Sequence, residues 1–398
     1  MNPIIPVLVV GISALVGAGL LALVFRQAAR MMTVAALVGA GAGVAGALLF
    51  MLPLNFCTFE AERKTIDFGF GIVLIAIGIL AAVLIARWLL RAVFERRPMF
   101  AAEHTPGAFK HGWLAYIFLA PTVIILLLFL YYPAIDTFSV STQLVRLGIP
   151  RTAFVCVSNF TSLAGDPAYA QALGVTILIS VAVVFFSLSL SLMVALVAYL
   201  PLKGARIYRT LLIWPYSISP VVAGVIFLLI FNPLAGIFNH FFSMIFGVSI
   251  PWLNSPVFAP WAVIVVSVWK SIGFNILFYI AGLQNVPGDL VEAAAIDGAN
   301  AWRRFWSIVF PMLSPITFFL LITNMTYAFF ETFGTIDTLT GGGPLSSTTT
   351  LMYRIYDLGF TNRDLGKAAA QSIVLFVMVI GFTLLQFRTS ARNVTYGA

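Results

Sequence analysis

The sequence predicts an all-α protein that crosses a membrane many times. Three observations carry that reading. Hydrophobic residues make up 61% of the 398 and charged residues only 9%, against about 25% charged in soluble domains. Apolar runs long enough to span a bilayer, about 18 residues or more, recur at about 4–25, 32–54, 68–90, 113–132, 171–199, 206–231, 258–284, 308–330 and 369–387. The excess of positive charge, +8 overall, sits in short loops between those runs and not in a patch interleaved with aromatics. That distribution reads as membrane topology and excludes nucleic acid as a partner.

The bases also set the orientation. Nothing basic precedes the first span, and Arg26 and Arg30 follow it. This is unlike a secretory signal peptide, which begins positive, and it places the N-terminus outside. Arg87, Arg91, Arg96, Arg97 and Lys110 mark the loop after span three as cytoplasmic. Lys203, Arg206 and Arg209 mark the loop after span five, Arg303 and Arg304 the loop after span seven, and Arg388 and Arg392 a cytoplasmic C-terminus. These assignments alternate consistently with nine spans. Arg63, Lys64, Arg354, Arg363 and Lys367 fall outside, near acidic neighbours such as Glu60, Glu62, Asp357 and Asp364.

Spans one to three read as an added module, residues 1–110, with a basic link at Arg96-Arg97-Pro98. Gly39 and Gly43 are spaced for close helix approach, which suits a peripheral scaffold. Residues 111–398 read as a six-helix core. In its third span Trp214-Pro215-Tyr216 and Pro220 interrupt the helical hydrogen-bond ladder. Such a break is a packing kink or the lining of a water-filled path. Lys270 lies near the middle of the next span, in SVWKSIGFN. An ammonium there costs about 2.5–3.5 kcal/mol on insertion scales, so it is expected in the bundle interior, a cavity or against a partner. Ser267, Asn275 and Tyr279 lie within a few turns of it. Asn324, Tyr327 and Glu331 form a second polar face on span eight. Both faces suit either the lining of a path or interhelical hydrogen bonds. The stretch from Glu331 to Gly366 reads as an outer loop with a flexible Gly341–Pro344 turn. Cys57 and Cys156 both fall on the outer side, either bridged or free. The three histidines, 104, 111 and 240, lack metal-site spacing.

The most specific signal is a polar island, Pro287 to Pro315. Asp289 and Glu292 have capping-box spacing, which predicts a short helix starting at Leu290. Ala293, Ala294 and Ala295 give it a small-residue face, and Gly298 is placed to end it. A second helical piece is expected from Ala301, carrying Arg303 and Arg304. Glu292, Ala293, Ala294, Asp297, Gly298, Ala299, Phe305, Ile308, Pro311 and Pro315 together resemble the EAA loop of ABC importer permeases, with Phe310 where that family has Leu. YAFFETFGTIDTLTGGGP from Tyr327, TTTLMYRIYDLGF and AAAQS resemble the A-type permease of sn-glycerol-3-phosphate importers, within the carbohydrate-type branch.

The resemblance implies a type I importer permease core, three N-terminal helices beyond the usual six, and no enzymatic activity of this chain. It implies a heterodimer with a second permease, two copies of a cassette ATPase inside, and an extracytoplasmic substrate-binding protein outside, all in a bacterial inner membrane. Glu292, Ala293, Ala294, Asp297, Gly298 and Ala299 would couple to the ATPase. ATP and Mg would sit on that subunit, since GxxxxGK[ST] is absent here. Asn232 and Gly236 would lie at the outer end of the path. The implied cargo is sn-glycerol-3-phosphate or a related polyol phosphate, with a di- or oligosaccharide of the maltose or trehalose type as the alternative. A secondary transporter should show an internal repeat; none is visible. A membrane enzyme needs a catalytic constellation within the spans, and none is seen.

Overall fold

The computed structural model describes residues 112–149, 153–200, 203–233 and 236–390, with scattered positions between 12 and 84. Only scattered positions of the three N-terminal spans are among the described residues, and the boundary at residue 110 lies outside them. Within them, five helices are long and apolar enough to cross a membrane: Ile117–Ser141, Pro167–Tyr199, Ala259–Gln284, Ser314–Leu339 and Leu365–Arg388. A sixth span is a bent pair, Ile207–Ser217 with Pro220–Ile230, whose halves meet at 100°. These fall on the six apolar runs of the expected core.

The chain divides into two compact units, 1–162 with 364–370 and 163–363 with 371–398. In the first, α1 (Gly112–Leu126) and α2 (Tyr132–Ser141) are joined by a π-helical turn, Leu127–Tyr131. Residues 133–149 and 153–170, between the first two core spans, are largely structured. The helix runs on to Ser141, and β1 (Gln143–Leu144) pairs antiparallel with β2 (Ala153–Phe154). Asn159 Nδ2 donates to the carbonyls of Ser141 and Gln143 at 2.8 and 3.0 Å, fixing this corner through buried polar groups. Cys156 is buried, has φ +56° and is engaged in a disulfide. Cys57, the other cysteine of the chain, lies outside the described residues. α3 (Ser158–Ala164) leads out of this corner.

In the second unit, α4 (Pro167–Tyr199) is capped by Asp166, whose carboxylate accepts from Ala168 N at 2.9 Å and pairs with Arg354. α4 buries a stripe of small residues, including Ala172, Thr176, Ser180, Ser187, Ser191, Ala195 and Ala198. Steps of three, four and seven keep them on one face, and their size lets a neighbour come close. That neighbour is α8 (Ala259–Gln284), the most enclosed span. Ser191 Oγ donates across to Ile272 O at 3.3 Å.

α5 (Ala205–Ile213) ends in a 3-10 turn, Trp214–Ser217, and α6 (Pro220–Ile230) restarts behind the cap of Ser219, which accepts from Val222 N. The break presses on α8 at Gly273. A Cβ there would stand 2.8 Å from Leu212 O and 3.0 Å from Ile213 Cα, both backbone. α7 (Ile237–Phe246) follows at the end of α6.

After α8 the chain forms α9 (Gly288–Ile296), α10 (Ala301–Arg304), a π-helical turn and α11 (Phe310–Met312). The next span is α12 (Ser314–Thr326), a π-helical turn at Tyr327–Glu331, and α13 (Thr332–Leu339). Sequence placed the end of this span near residue 330, but the helix continues to Leu339. Its threonines spend their hydroxyls on the preceding turn, Thr332 Oγ1 on Ala328 O and Thr338 Oγ1 on Gly334 O, so a polar segment is buried without loss. α14 (Leu351–Tyr356) and α15 (Leu365–Ser390) complete the chain described.

Candidate functional site

Two regions hold the residues singled out by sequence. The first is the α9–α11 stretch. The capping box does not form: the helix starts at Gly288 behind Pro287, with no side-chain cap. Proline there, with φ −60° and ψ 121°, turns the chain into the helix two residues early. Asp289 therefore lies within the first turn, where its charge favours the helix dipole. The other end is as expected. Gly298 has φ +84°, its N–H donates to Ala295 O at 3.1 Å, and Ala299 N donates to Ala294 O at 2.9 Å. These two bonds are the Schellman closure, which needs a residue at ease in the left-handed region. Asn300 then caps α10 by accepting from Arg303 N at 2.8 Å.

No residue of α9 is buried. Glu292, Ala293, Asp297 and Gly298 are exposed, and Ala294 and Ala299 are half-buried. Ile296 is 88% exposed and Trp302 71%. Beside the stretch opens a groove of about 1110 Å³, lined among others by Leu196, Tyr199, Leu283, Glu292, Trp302 and Trp306. The stretch thus presents a short helix with a glycine-closed C-terminal turn and exposed apolar side chains around it.

The second region surrounds Lys270. Its residue is only 5% exposed, in the middle of α8. The Nζ lies 5.6 Å from the Tyr216 ring centroid and 5.3 Å from that of Tyr327. Rings at this range attract a cation through their π faces, by about 0.5–2 kcal/mol. Lys270, Tyr216, Tyr327, Ser271, Thr323 and Glu331 line a cavity of about 160 Å³. Three of the six arrive by a departure from regular helix: Tyr216 on the 3-10 break, Tyr327 and Glu331 on the π-helical turn. Such irregular turns re-aim side chains.

Asn275 and Asn324 face each other and exchange amide hydrogen bonds. Asn324 Nδ2 donates to Asn275 Oδ1 at 2.7 Å, and Asn275 Nδ2 donates to Asn324 Oδ1 at 3.0 Å. Ser187 Oγ adds a bond to Asn324 Oδ1 at 3.1 Å. This network ties α4, α8 and α12 together, with Asn324 also at the cavity wall. Ser267 and Tyr327 are neighbours, and their buried hydroxyls lack a hydrogen bond of regular geometry. Tyr279 turns to a separate, apolar cavity of about 490 Å³. Asn232 and Gly236 form the turn between α6 and α7, where Gly236 N donates to Asn232 O at 3.0 Å. A Cβ on Gly236 would run into the carbonyls of Asn232 and Ile230. Neither residue lines the Lys270 cavity.

Tyr216 and Glu331 also belong to this cavity. For Tyr216 the only sequence signal was its place in a helix break. For Glu331 it was a four-residue step from Tyr327.

A bundle of apolar spans with a broken helix and a sheltered cation at a mid-span cavity has the features of a membrane transport component. Comparison with known proteins agrees. Residues 187–392, just over half of the chain, match the family described as binding-protein-dependent transport system inner membrane component, and the chain belongs to that family. The sn-glycerol-3-phosphate transport system permease protein UgpA of Rhizobium meliloti is 42% identical over 292 residues, 73% of this chain and 98% of its own length. Its counterpart in Yersinia enterocolitica is 43% identical over 291 residues, with the same coverage, 73% and 98%. Among solved structures, a chain of a bacterial alginate ABC transporter in complex with its alginate-bound periplasmic protein superposes with a TM-score of 0.63. It is 24% identical and covers 72% of this chain and 96% of that one, which establishes the shared permease fold.

Proposed function

We propose that this chain forms half of the translocation path of an ABC importer for sn-glycerol-3-phosphate or a related polyol phosphate. The observation that carries the reading is the 42% identity, over nearly their whole length, to permeases named for that cargo. A buried ammonium at a mid-span cavity supports it, because a phosphate monoester is an anion that needs one. A second permease completes the path. Two copies of a cassette ATPase bind ATP and Mg on the cytoplasmic side, and a substrate-binding protein delivers cargo outside. The N-terminus lies outside, the C-terminus lies in the cytoplasm, and residues 1–110 form a peripheral scaffold beside the core 111–398.

Access alternates. ATP closes the ATPase dimer, and α9 transmits the movement from a cleft of that subunit. Glu292 anchors the helix, Ala293 and Ala294 allow close fit, and Asp297, Gly298 and Ala299 make the rigid turn. Lys270, with Ser267 and Tyr327, lines the path, and Asn275 and Asn324 hold its wall. Asn232 and Gly236 shape its outer end, and Tyr279 packs nearby.

The test is purification of the tagged chain from its native membrane in mild detergent, followed by uptake of radiolabelled sn-glycerol-3-phosphate in liposomes. A second permease and an ATPase should co-purify, and added binding protein and ATP should drive uptake. A lone chain, or an assembled importer that ignores the phosphate and carries a disaccharide, would overturn it.

A further inference from the structure

The Lys270 ammonium is sheltered but unspent. It donates to no acceptor among the described residues, and no carboxylate there lies within 4.0 Å of it. Three N–H donors thus face a cavity of about 160 Å³, with two ring faces within 6 Å of the nitrogen. That volume is about five times a water's share of the liquid, about 30 Å³, and holds one oxyanion with room for water. Glu331 lines the same cavity and acts on the ammonium through space. Unlike Lys270 it is exposed in the isolated chain. A carboxylate within a span does not face hydrocarbon, so this edge of the cavity opens to water or to a partner.

From this we infer that Glu331 is a specificity-determining residue, a tethered counter-anion that competes with oxyanions for Lys270. The inference rests on the reading of Lys270 as part of the path. Between transport cycles the carboxylate neutralises the ammonium across the cavity. Water and ions then meet a net-neutral site, and a free inorganic anion gains little by entering. A cargo brought by its binding protein arrives at high local concentration and displaces Glu331, and the carboxylate returns when the cargo leaves. The two irregular turns suit the exchange. Tyr327 and Glu331 ride on one π-helical turn, so a small rotation there moves ring and carboxylate together.

Without the carboxylate, the site becomes a bare cation and retains anions. Removing the competing carboxylate is expected to raise anion affinity about tenfold, the change that corresponds to about 1.4 kcal/mol. The experiment uses the complete importer in liposomes and sulfate, a tetrahedral dianion without a glycerol moiety, as competitor. Wild type, Glu331→Gln, Lys270→Met and the double variant are compared for ATP-driven uptake, with sulfate on both sides of the membrane. Expected is an inhibitory sulfate concentration about tenfold lower for Glu331→Gln than for wild type, and loss of that sensitivity in the double variant. Glu331→Ala serves in its place if the glutamine variant does not assemble. Equal sulfate sensitivity of wild type and both Glu331 variants overturns the proposal. So does persistent sensitivity in the double variant, which would place the anion elsewhere. If the importer carries a neutral sugar, the cargo reading fails, and the same sulfate comparison on sugar uptake still decides the role of Glu331.

Discussion

Replacing Asn324 by leucine should destabilise the bundle more than replacing Asn324 and Asn275 together. Asn324 makes three bonds to other helices, two with Asn275 and one from Ser187. Interhelical hydrogen bonds in membrane proteins average about 0.6 kcal/mol, with a maximum near 1.7, so three are worth about 2 kcal/mol. Leucine fills similar space but leaves the Asn275 amide buried with neither partner, which adds about 1–3 kcal/mol. Ser187 is spared, since its hydroxyl also reaches Val184 O at 3.2 Å. Asn324→Leu should therefore cost about 3–5 kcal/mol, and Asn275→Leu less, because Asn324 keeps Leu320 O at 2.8 Å and Ser187 Oγ at 3.1 Å as partners. In the double variant no amide is orphaned and two apolar side chains pack instead, so the cost falls to about 1–2 kcal/mol. The assay is unfolding of the full-length chain in mixed micelles titrated with a denaturing detergent, as a double-mutant cycle. Additive costs would show that the amides do not act as a pair, and the reasoning from their reciprocal geometry would be wrong.

Three further outcomes follow from single positions. Gly298→Asp meets no packing clash, but a side chain at φ +84° costs about 1–2 kcal/mol and distorts the turn behind α9; uptake should fall at least tenfold while membrane insertion, read by fractionation, stays normal. Lys270→Met should reduce uptake of sn-glycerol-3-phosphate far more than uptake of a neutral sugar analogue, and equal loss on both would remove Lys270 from anion handling. Gly273→Ala puts a methyl group against the backbone at Leu212 and Ile213, which cannot rotate away; the helix break must shift, and both thermal stability and transport should drop, whereas unchanged melting would show the contact to be soft.

Much of this architecture could be read directly from residues. The six core spans follow from apolar length alone, and the turn at Gly298 follows from glycine after an alanine-rich helix. Other features depended on partners far away in the chain. The segment Thr332–Leu339 looks like a loop by polarity, yet its threonines bond locally and Thr335 Oγ1 reaches Pro220 O at 3.3 Å, on a helix about a hundred residues earlier. The missing capping box has a nearer cause: Pro287 began the helix before Asp289 could cap it. The grouping of Tyr216, Lys270, Tyr327 and Glu331 was out of reach for a physical reason. It arises where a 3-10 break and a π-helical turn aim side chains at one point, and neither departure has a period that a sequence window detects.

The bareness of α9 has a consequence for how the complex is built. If an ATPase covers this stretch as proposed, a copy of the chain without it carries Ile296, Trp302 and Trp306 uncovered. Those side chains are what chaperones and membrane proteases recognise in an orphaned subunit. Assembly hides them and non-assembly advertises them, so the helix that would convey force in the finished importer would also report whether the importer was ever finished. Subunit proportions would then be kept by destruction of the surplus, with no need for matched synthesis.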